Sequence, residues 1–116
     1  MLNYAEAQNE AVGPDASVYE AVNSIRSRNG VEMPPLPTGL SQDQMRERIH
    51  HERRIELAFE EHRYYDVRRW MTADLVENTP AYGIEIVKAN DGTLAYNRKV
   101  SLNGKKFETQ NYWLPI

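Results

Sequence analysis

The sequence contains no cysteine, which excludes disulfides, thiolate metal sites and a cysteine nucleophile. No apolar stretch approaches the roughly 20 residues that a bilayer-crossing helix needs. The residues after Met1 show neither a basic start nor an apolar core, so no signal peptide is expected within them. An excess of basic charge is also missing. Lys plus Arg is 14, Asp plus Glu is 17, and the net charge is -3, which argues against a dedicated nucleic-acid binder. There is no glycine-rich phosphate loop and no Gly-x-Ser-x-Gly nucleophile motif. Even apolar residues are scarce, at 41% of 116 residues against a globular norm of roughly 45–50%. These absences leave a mildly acidic, cysteine-free chain the size of one small domain, or of a piece of a larger one.

What is present reads first as helix. Leu2, Ala5 and Asn9 share a face of a helix over residues 2–12, and Gly13-Pro14 stops it. Asp15 is placed to cap a second helix running to about Arg28. Its Val18, Ala21, Val22 and Ile25 fall at i, i+3, i+4 and i+7, and Gly30 stands where a C-terminal cap belongs. Together these form a helical hairpin. Three prolines between residues 33 and 39 demand an extended connector. Ser41 with Gln44 is a capping box that opens the longest helix, expected to reach about Glu61. A shorter helix is expected over residues 65–75. Beyond Pro80 the composition shifts to β-formers around Asn90-Asp91-Gly92, a hairpin signal, and Asn103-Gly104 suggests a second turn. The spacing therefore predicts a mainly α fold with a small C-terminal β-hairpin region. The helical part is 1–75, and the loop and hairpin part is 76–116.

The longest helix carries an unusual face. Met45, Ile49, Glu52, Glu56, Phe59 and Arg63 cluster on one side at helical spacing, so two carboxylates interrupt an apolar stripe. A buried carboxylate is costly unless paired. Arg48, Arg53, Arg63, Arg68 and Arg69 and the hydroxyls of Tyr64 and Tyr65 are candidate partners. An acid/base pair, as in a glycosidase, is one reading. Carboxylates one turn apart point the same way, however, and a structural ion-pair network of Glu52, Glu56, Arg53, Arg63, Asp66, Arg68 and Arg69 is the stronger one. Both glutamates are therefore expected to be mostly buried against arginine or backbone donors. His51-Glu52 begins like His-Glu-x-x-His, but position 55 is Ile, and Glu47-x-x-His50 lacks the second copy a di-iron site needs. No metal or cofactor is expected. The seven arginines of residues 46–69 are interleaved with as many as six carboxylates, which reads as helix-surface pairing rather than a nucleic-acid face.

The run from His51 through Glu52-Arg53, Glu56-Leu57-Ala58-Phe59-Glu60 and Arg63-Tyr64-Tyr65-Asp66-Val67-Arg68-Arg69-Trp70 resembles the C-terminal hallmark of the SusD/RagB family. These are nutrient-binding outer-membrane lipoproteins of Bacteroidetes. Leu2-Asn3-Tyr4-Ala5-Glu6-Ala7 resembles an upstream family helix. Val22 to Gly30, with Arg26 and Arg28, resembles a family helix end. Leu40-Ser41-Gln42 matches the entry to the hallmark helix, and Leu114-Pro115-Ile116 a segment near the family's end. Glu61 stands where the family usually has glycine.

The resemblance implies a fold built on tetratricopeptide-like helical hairpins. It implies a chain corresponding to the C-terminal part of a longer protein, with the lipidated N-terminal cysteine outside it. The implied function is non-catalytic capture of oligosaccharides, or in some members peptides, at the cell surface. Delivery goes to a TonB-dependent SusC-type transporter, with a lipid anchor as the membrane link. A helical-repeat adaptor for proteins or peptides is the alternative. No ligand-binding residue transfers. Tyr82, Tyr96, Tyr112 and Trp113 could stack on sugar rings, although core packing or hairpin pairing is the commoner use of such residues. The first two helices are expected to pack against the long one. An apolar patch of more than a few hundred Å² is expected to remain open, with residues 112–116 on or near it.

Overall fold

The computed structural model describes residues 1–102 and 106–113, without the side chains of 100–102. Leu2–Val12 forms α1, Ala16–Arg26 forms α2 and Gln42–Glu56 forms α3. The chain divides into two compact units, Met1–Arg63 and Tyr64–Ile116.

In the first unit local chemistry sets the helix ends. The Asp15 carboxylate accepts from the backbone N–H groups of Ser17 and Val18, an N-cap that satisfies two orphan donors of α2. Ser41 and Gln44 form a reciprocal capping box at the start of α3. The core is one cluster of Ala5, Val18, Ala21, Val22, Met45 and Ile49, joined by Leu36 from the connector. It is the apolar stripe of each helix turned inward, with α1 packed on both α2 and α3. The connector does more than span a distance. Its Leu36 N–H donates to the Asn23 side chain at 2.9 Å, its Leu40 N–H to the Tyr19 hydroxyl at 3.0 Å, and its Pro34 carbonyl accepts from Arg26. Each bond removes a backbone group that an extended, proline-rich segment leaves unpaired.

The helix bounds differ from expectation in three places. α2 ends at Arg26 with Ser27 as its cap, and Gly30 lies three residues on, in a turn, with φ +82°. α3 ends at Glu56 rather than near Glu61. Phe59 and Glu61 both adopt left-handed backbone, φ +65° and +63°, which no helix accommodates. Phe59 is consequently fully exposed and not part of the stripe with Met45 and Ile49. The third difference is that the expected helix over 65–75 is two helices, α4 (His62–Arg69) and α5 (Ala73–Glu77), interrupted by left-handed Met71.

The second unit has a smaller core of Val67, Ala73 and Phe107, with Tyr112 packed against it. Asn78 clamps Phe107 from both sides, donating to its carbonyl and accepting from its N–H. β1 (Ala81–Lys88) and β2 (Leu94–Leu102) form an antiparallel hairpin. Between them Asp91 accepts from the Thr93 N–H and hydroxyl, and Gly92 sits at φ +88°, the conformation that makes Asp-Gly a turn former. A 3-10 helix, Thr109–Tyr112, follows. The expected turn at Asn103-Gly104 and the segment Leu114 to Ile116 lie outside the described residues. Large apolar side chains stand exposed in each unit, Val12, Ile55 and Phe59 in the first and the hairpin residues in the second.

Candidate functional site

The carboxylate face of α3 is built from two turns of one helix, and its partners come from the end of another. Glu52 is buried and bound by the guanidinium of Arg26, whose Nε donates to the Pro34 carbonyl at 2.8 Å. Glu56, one turn on, is bound by Arg28. The Glu52 and Arg26 side chains are 8% and 13% exposed, whereas Arg28 is 49% exposed. The two pairs are chemically alike and differ in their access to water.

Arg26 and Arg28 are not among the candidate partners read from the sequence, all of which lie between residues 48 and 69. A signal was present. Arg26 has no acidic residue within four positions on either side, so a partly buried guanidinium there needs a carboxylate from another element. Arg53, on the same helix, is buried and turns toward α1, where Asn3 accepts from it at 2.6 Å and Glu6 lies at 3.6 Å. Toward the N-terminal end of α3, Arg46 binds Glu10 of α1 at 2.6 Å and also Asp43, and this contact lowers the Glu10 pKa. Gln42 donates to the Asn9 carbonyl at 2.6 Å, and the Asn9 side chain donates to the Gln42 carbonyl at 3.1 Å. Thus α3 is fastened to α1 and α2 by charge at several levels along its length.

Arg63 is half-buried at the start of α4. In the second unit Asp66 is buried and binds Arg69 at 2.8 Å, one turn along the same helix. Arg68 stacks on the Tyr64 ring at 3.6 Å and approaches Phe107 at 5.2 Å. Its guanidinium acts there as a cation over aromatic faces.

A cleft of about 340 Å³ opens in the first unit beside Leu2, Arg28, Arg53, Glu56 and His62. Glu56 is the single carboxylate among the described residues that line it, and Arg28 already occupies that carboxylate. Glycosidase chemistry needs two carboxyl groups on opposite sides of a substrate. Here both project from one helix into separate arginines. Among the described residues no group of three or more His, Asp or Glu side chains gathers as a metal site.

The aromatic residues divide. Tyr112 packs edge-on against Phe107 at 4.8 Å, and its hydroxyl donates to Asp74 at 2.6 Å. Burial and the Asp74 carboxylate raise its pKa. Trp113 is exposed. Tyr82 and Tyr96 lie on the hairpin, where Tyr82 opposes Val100, Ile84 opposes Arg98, Ile86 opposes Tyr96 and Lys88 opposes Leu94. Side chains alternate across a strand, so those of Tyr82, Ile84, Ile86, Lys88, Leu94, Tyr96 and Arg98 share one face. On it Arg98 covers the Tyr82 ring at 3.7 Å. The other face holds Glu85, bound by Lys99 at 2.8 Å.

The sequence profile of the SusD family matches residues 1–116. A protein named SusD-like protein P2 from Formosa agariphila is 42% identical over 74 residues, 60% of this chain and 15% of that protein. SusD-like protein P25 of the same organism is 40% identical over 79 residues, 66% of this chain and 15% of its own length. No solved structure matches. The chain thus aligns with only a small fraction of these relatives. With the profile matched over its whole length, on a mainly helical fold with a small antiparallel hairpin, the chain belongs to the SusD family.

Proposed function

We propose that this protein takes part in non-catalytic capture of nutrient oligosaccharides at the bacterial outer membrane. It would act beside a TonB-dependent SusC-type transporter to which the ligand passes. Family membership over the whole chain supports this reading, and so does the use made of the hallmark carboxylates. Glu52 and Glu56 fasten α3 to α2 through Arg26 and Arg28, which is a scaffold's use of charge rather than an acid/base pair's. In this reading the chain is the C-terminal part of a SusD-like domain, with a helical part over 1–75 and a loop and hairpin part over 76–116. The residues Glu52, Glu56, Arg53, Arg63, Asp66, Arg68 and Arg69 are structural, Arg68 through its stacking on Tyr64 rather than through an ion pair. The membrane link is a lipid anchor carried outside these 116 residues.

The test is the genomic sequence around the coding region. An in-frame lipoprotein signal upstream and a neighbouring transporter gene are expected. A complete reading frame with neither would overturn the proposal. A second measurement addresses catalysis. Oligosaccharide incubated with pure protein should be recovered intact. Turnover that is lost in Glu52→Gln or Glu56→Gln would show the carboxylates to be catalytic.

A further inference from the structure

A two-stranded hairpin is marginal in water unless its apolar face is covered. Here that face is open: Ile84 is 70% exposed, Tyr96 65% and Ile86 59%, with Tyr82 and Leu94 about half exposed. The charges around it are unbalanced. Lys88 and Arg98 share the face and have no carboxylate partner among the described residues. Glu85 lies on the opposite face and is neutralised by Lys99. Asp91, at the tip, has its carboxylate turned onto Thr93. The sequence extends the asymmetry. Residues 94–106 contain Arg98, Lys99, Lys105 and Lys106 and no carboxylate, in a chain whose net charge is -3. An apolar, aromatic surface edged by two unpaired cations calls for a ligand that is apolar on one side and anionic at its rim.

Resting on the glycan-capture reading above, we propose that this hairpin face binds an acidic oligosaccharide, one bearing uronate or sulfate groups. Tyr82 and Tyr96 lie four residues apart along the ladder and on opposite strands, so about 14 Å separates them at roughly 3.4 Å per residue. That is the span of an oligosaccharide rather than of a single sugar. The C–H faces of the sugar rings lie on Ile84, Ile86 and Tyr96, and Arg98, over the Tyr82 ring, meets the far end of the ligand. Arg98 lies over the Tyr82 ring at 3.7 Å, and its guanidinium N–H groups donate a charge-assisted pair of hydrogen bonds to a carboxylate or sulfate. Lys88 supplies a second cation at the turn end.

The test is calorimetric titration of the 116-residue chain at low salt with oligogalacturonate, with sulfated carrageenan oligosaccharide and with neutral maltohexaose. At least one acidic probe should bind about tenfold more tightly than the neutral one, and its affinity should fall as salt rises. Arg98→Gln and Tyr96→Ala should each weaken it about tenfold. Tyr96→Phe, which keeps the ring, and Glu85→Gln, on the opposite face, should leave it unchanged. Circular dichroism separates lost binding from a lost hairpin. The Tyr96→Phe and Arg98→Gln pair keeps the test decisive if Tyr96→Ala unfolds. No binding of either acidic probe, equal binding of acidic and neutral probes, or binding indifferent to Arg98→Gln would overturn the proposal. So would attachment to anionic phospholipid vesicles with no saccharide binding. The gene-neighbourhood test concerns the capture reading alone, so failure of either leaves the other's outcome legible.

Discussion

Replacing Glu52 by Gln removes a charge from a nearly dry site and leaves its partner behind. The Glu52 and Arg26 side chains are 8% and 13% exposed, so water cannot readily take the carboxylate's place. Breaking such a pair from one side costs about 3–5 kcal/mol. Arg26 keeps its hydrogen bond to the Pro34 carbonyl, which places the expected loss at the lower end, about 3 kcal/mol. That is more than a hundredfold in the folded-to-unfolded ratio, at about 1.4 kcal/mol per factor of ten. Glu56→Gln provides the internal control. Its partner Arg28 is 49% exposed, so solvent screening reduces the expected loss to about 0.2–1 kcal/mol. Urea unfolding followed by far-ultraviolet circular dichroism measures both. A double-mutant cycle with Arg26→Met and Glu52→Leu completes the experiment. The double variant should be close to wild type, because neither buried charge then remains, giving a coupling of about 2 kcal/mol or more. If Glu52→Gln costs no more than Glu56→Gln, or if the cycle is additive, burial does not govern these pairs and the reasoning fails.

Leu36→Ala should cost about 2–5 kcal/mol, because Leu36 sits in the first unit's core; a loss under 1 kcal/mol in the same urea assay would make the connector a mere spacer. Asn78→Ala should cost about 1–3 kcal/mol and speed hydrogen exchange at the Phe107 amide, which donates to the Asn78 side chain; unchanged exchange would refute the clamp. The hydroxyl of Ser17, the Gln8 amide and the N–H of Val18 lower the Asp15 pKa from 3.8 to about 2. Its stabilisation is therefore present above about pH 4 and lost as the pH falls toward 2. Wild type and Asp15→Ala should then differ in melting temperature at pH 6 and converge at pH 2, and a gap independent of pH would count against the cap. Glu61→Gly should leave stability unchanged or raise it by up to about 1.6 kcal/mol. Relief of left-handed strain, about 1–2 kcal/mol, is opposed by about 0.4–1 kcal/mol of added freedom in the unfolded chain; a clear destabilisation would show that the Glu61 side chain has a role its φ does not reveal.

The elements that the sequence made legible are those whose signals are local. Asp15 and Ser41 cap helices by bonds to residues two and three positions on, and Asn90-Asp91-Gly92 turns within itself. The stripe of Val18, Ala21 and Val22 needs only the helical period to be seen, and it is the core. The misplaced bounds have the opposite character. Residues 57–61 contain Leu, Ala and Glu, all good helix formers, so nothing local announces that α3 stops at Glu56. The stop is a backbone conformation at Phe59 and Glu61, and neither position holds the glycine that would have signalled it. The burial of Leu36 was equally hidden. Prolines mark a segment as extended, but they do not say whether one of its side chains reaches a core.

The charged face of α3 belongs to the same division. Helical spacing put Glu52 and Glu56 on one side, but it could not say what lies opposite, because that depends on how another helix packs. With only Met45 and Ile49 as buried apolar side chains, α3 has little surface with which to fix its position by hydrophobic contact alone. Apolar packing is non-directional and tolerates a slide or a rotation. Paired charges tolerate neither, since displacement by one residue would strand Glu52 and Arg26 apart in a buried setting. The arginines of α2 and the glutamates of α3 therefore supply the register that a narrow apolar stripe cannot. This also explains how residues 41–63 can be so polar and still form part of a core. The density of acid and base that first suggests a catalytic centre is what a helix with too few apolar residues requires in order to sit in one place.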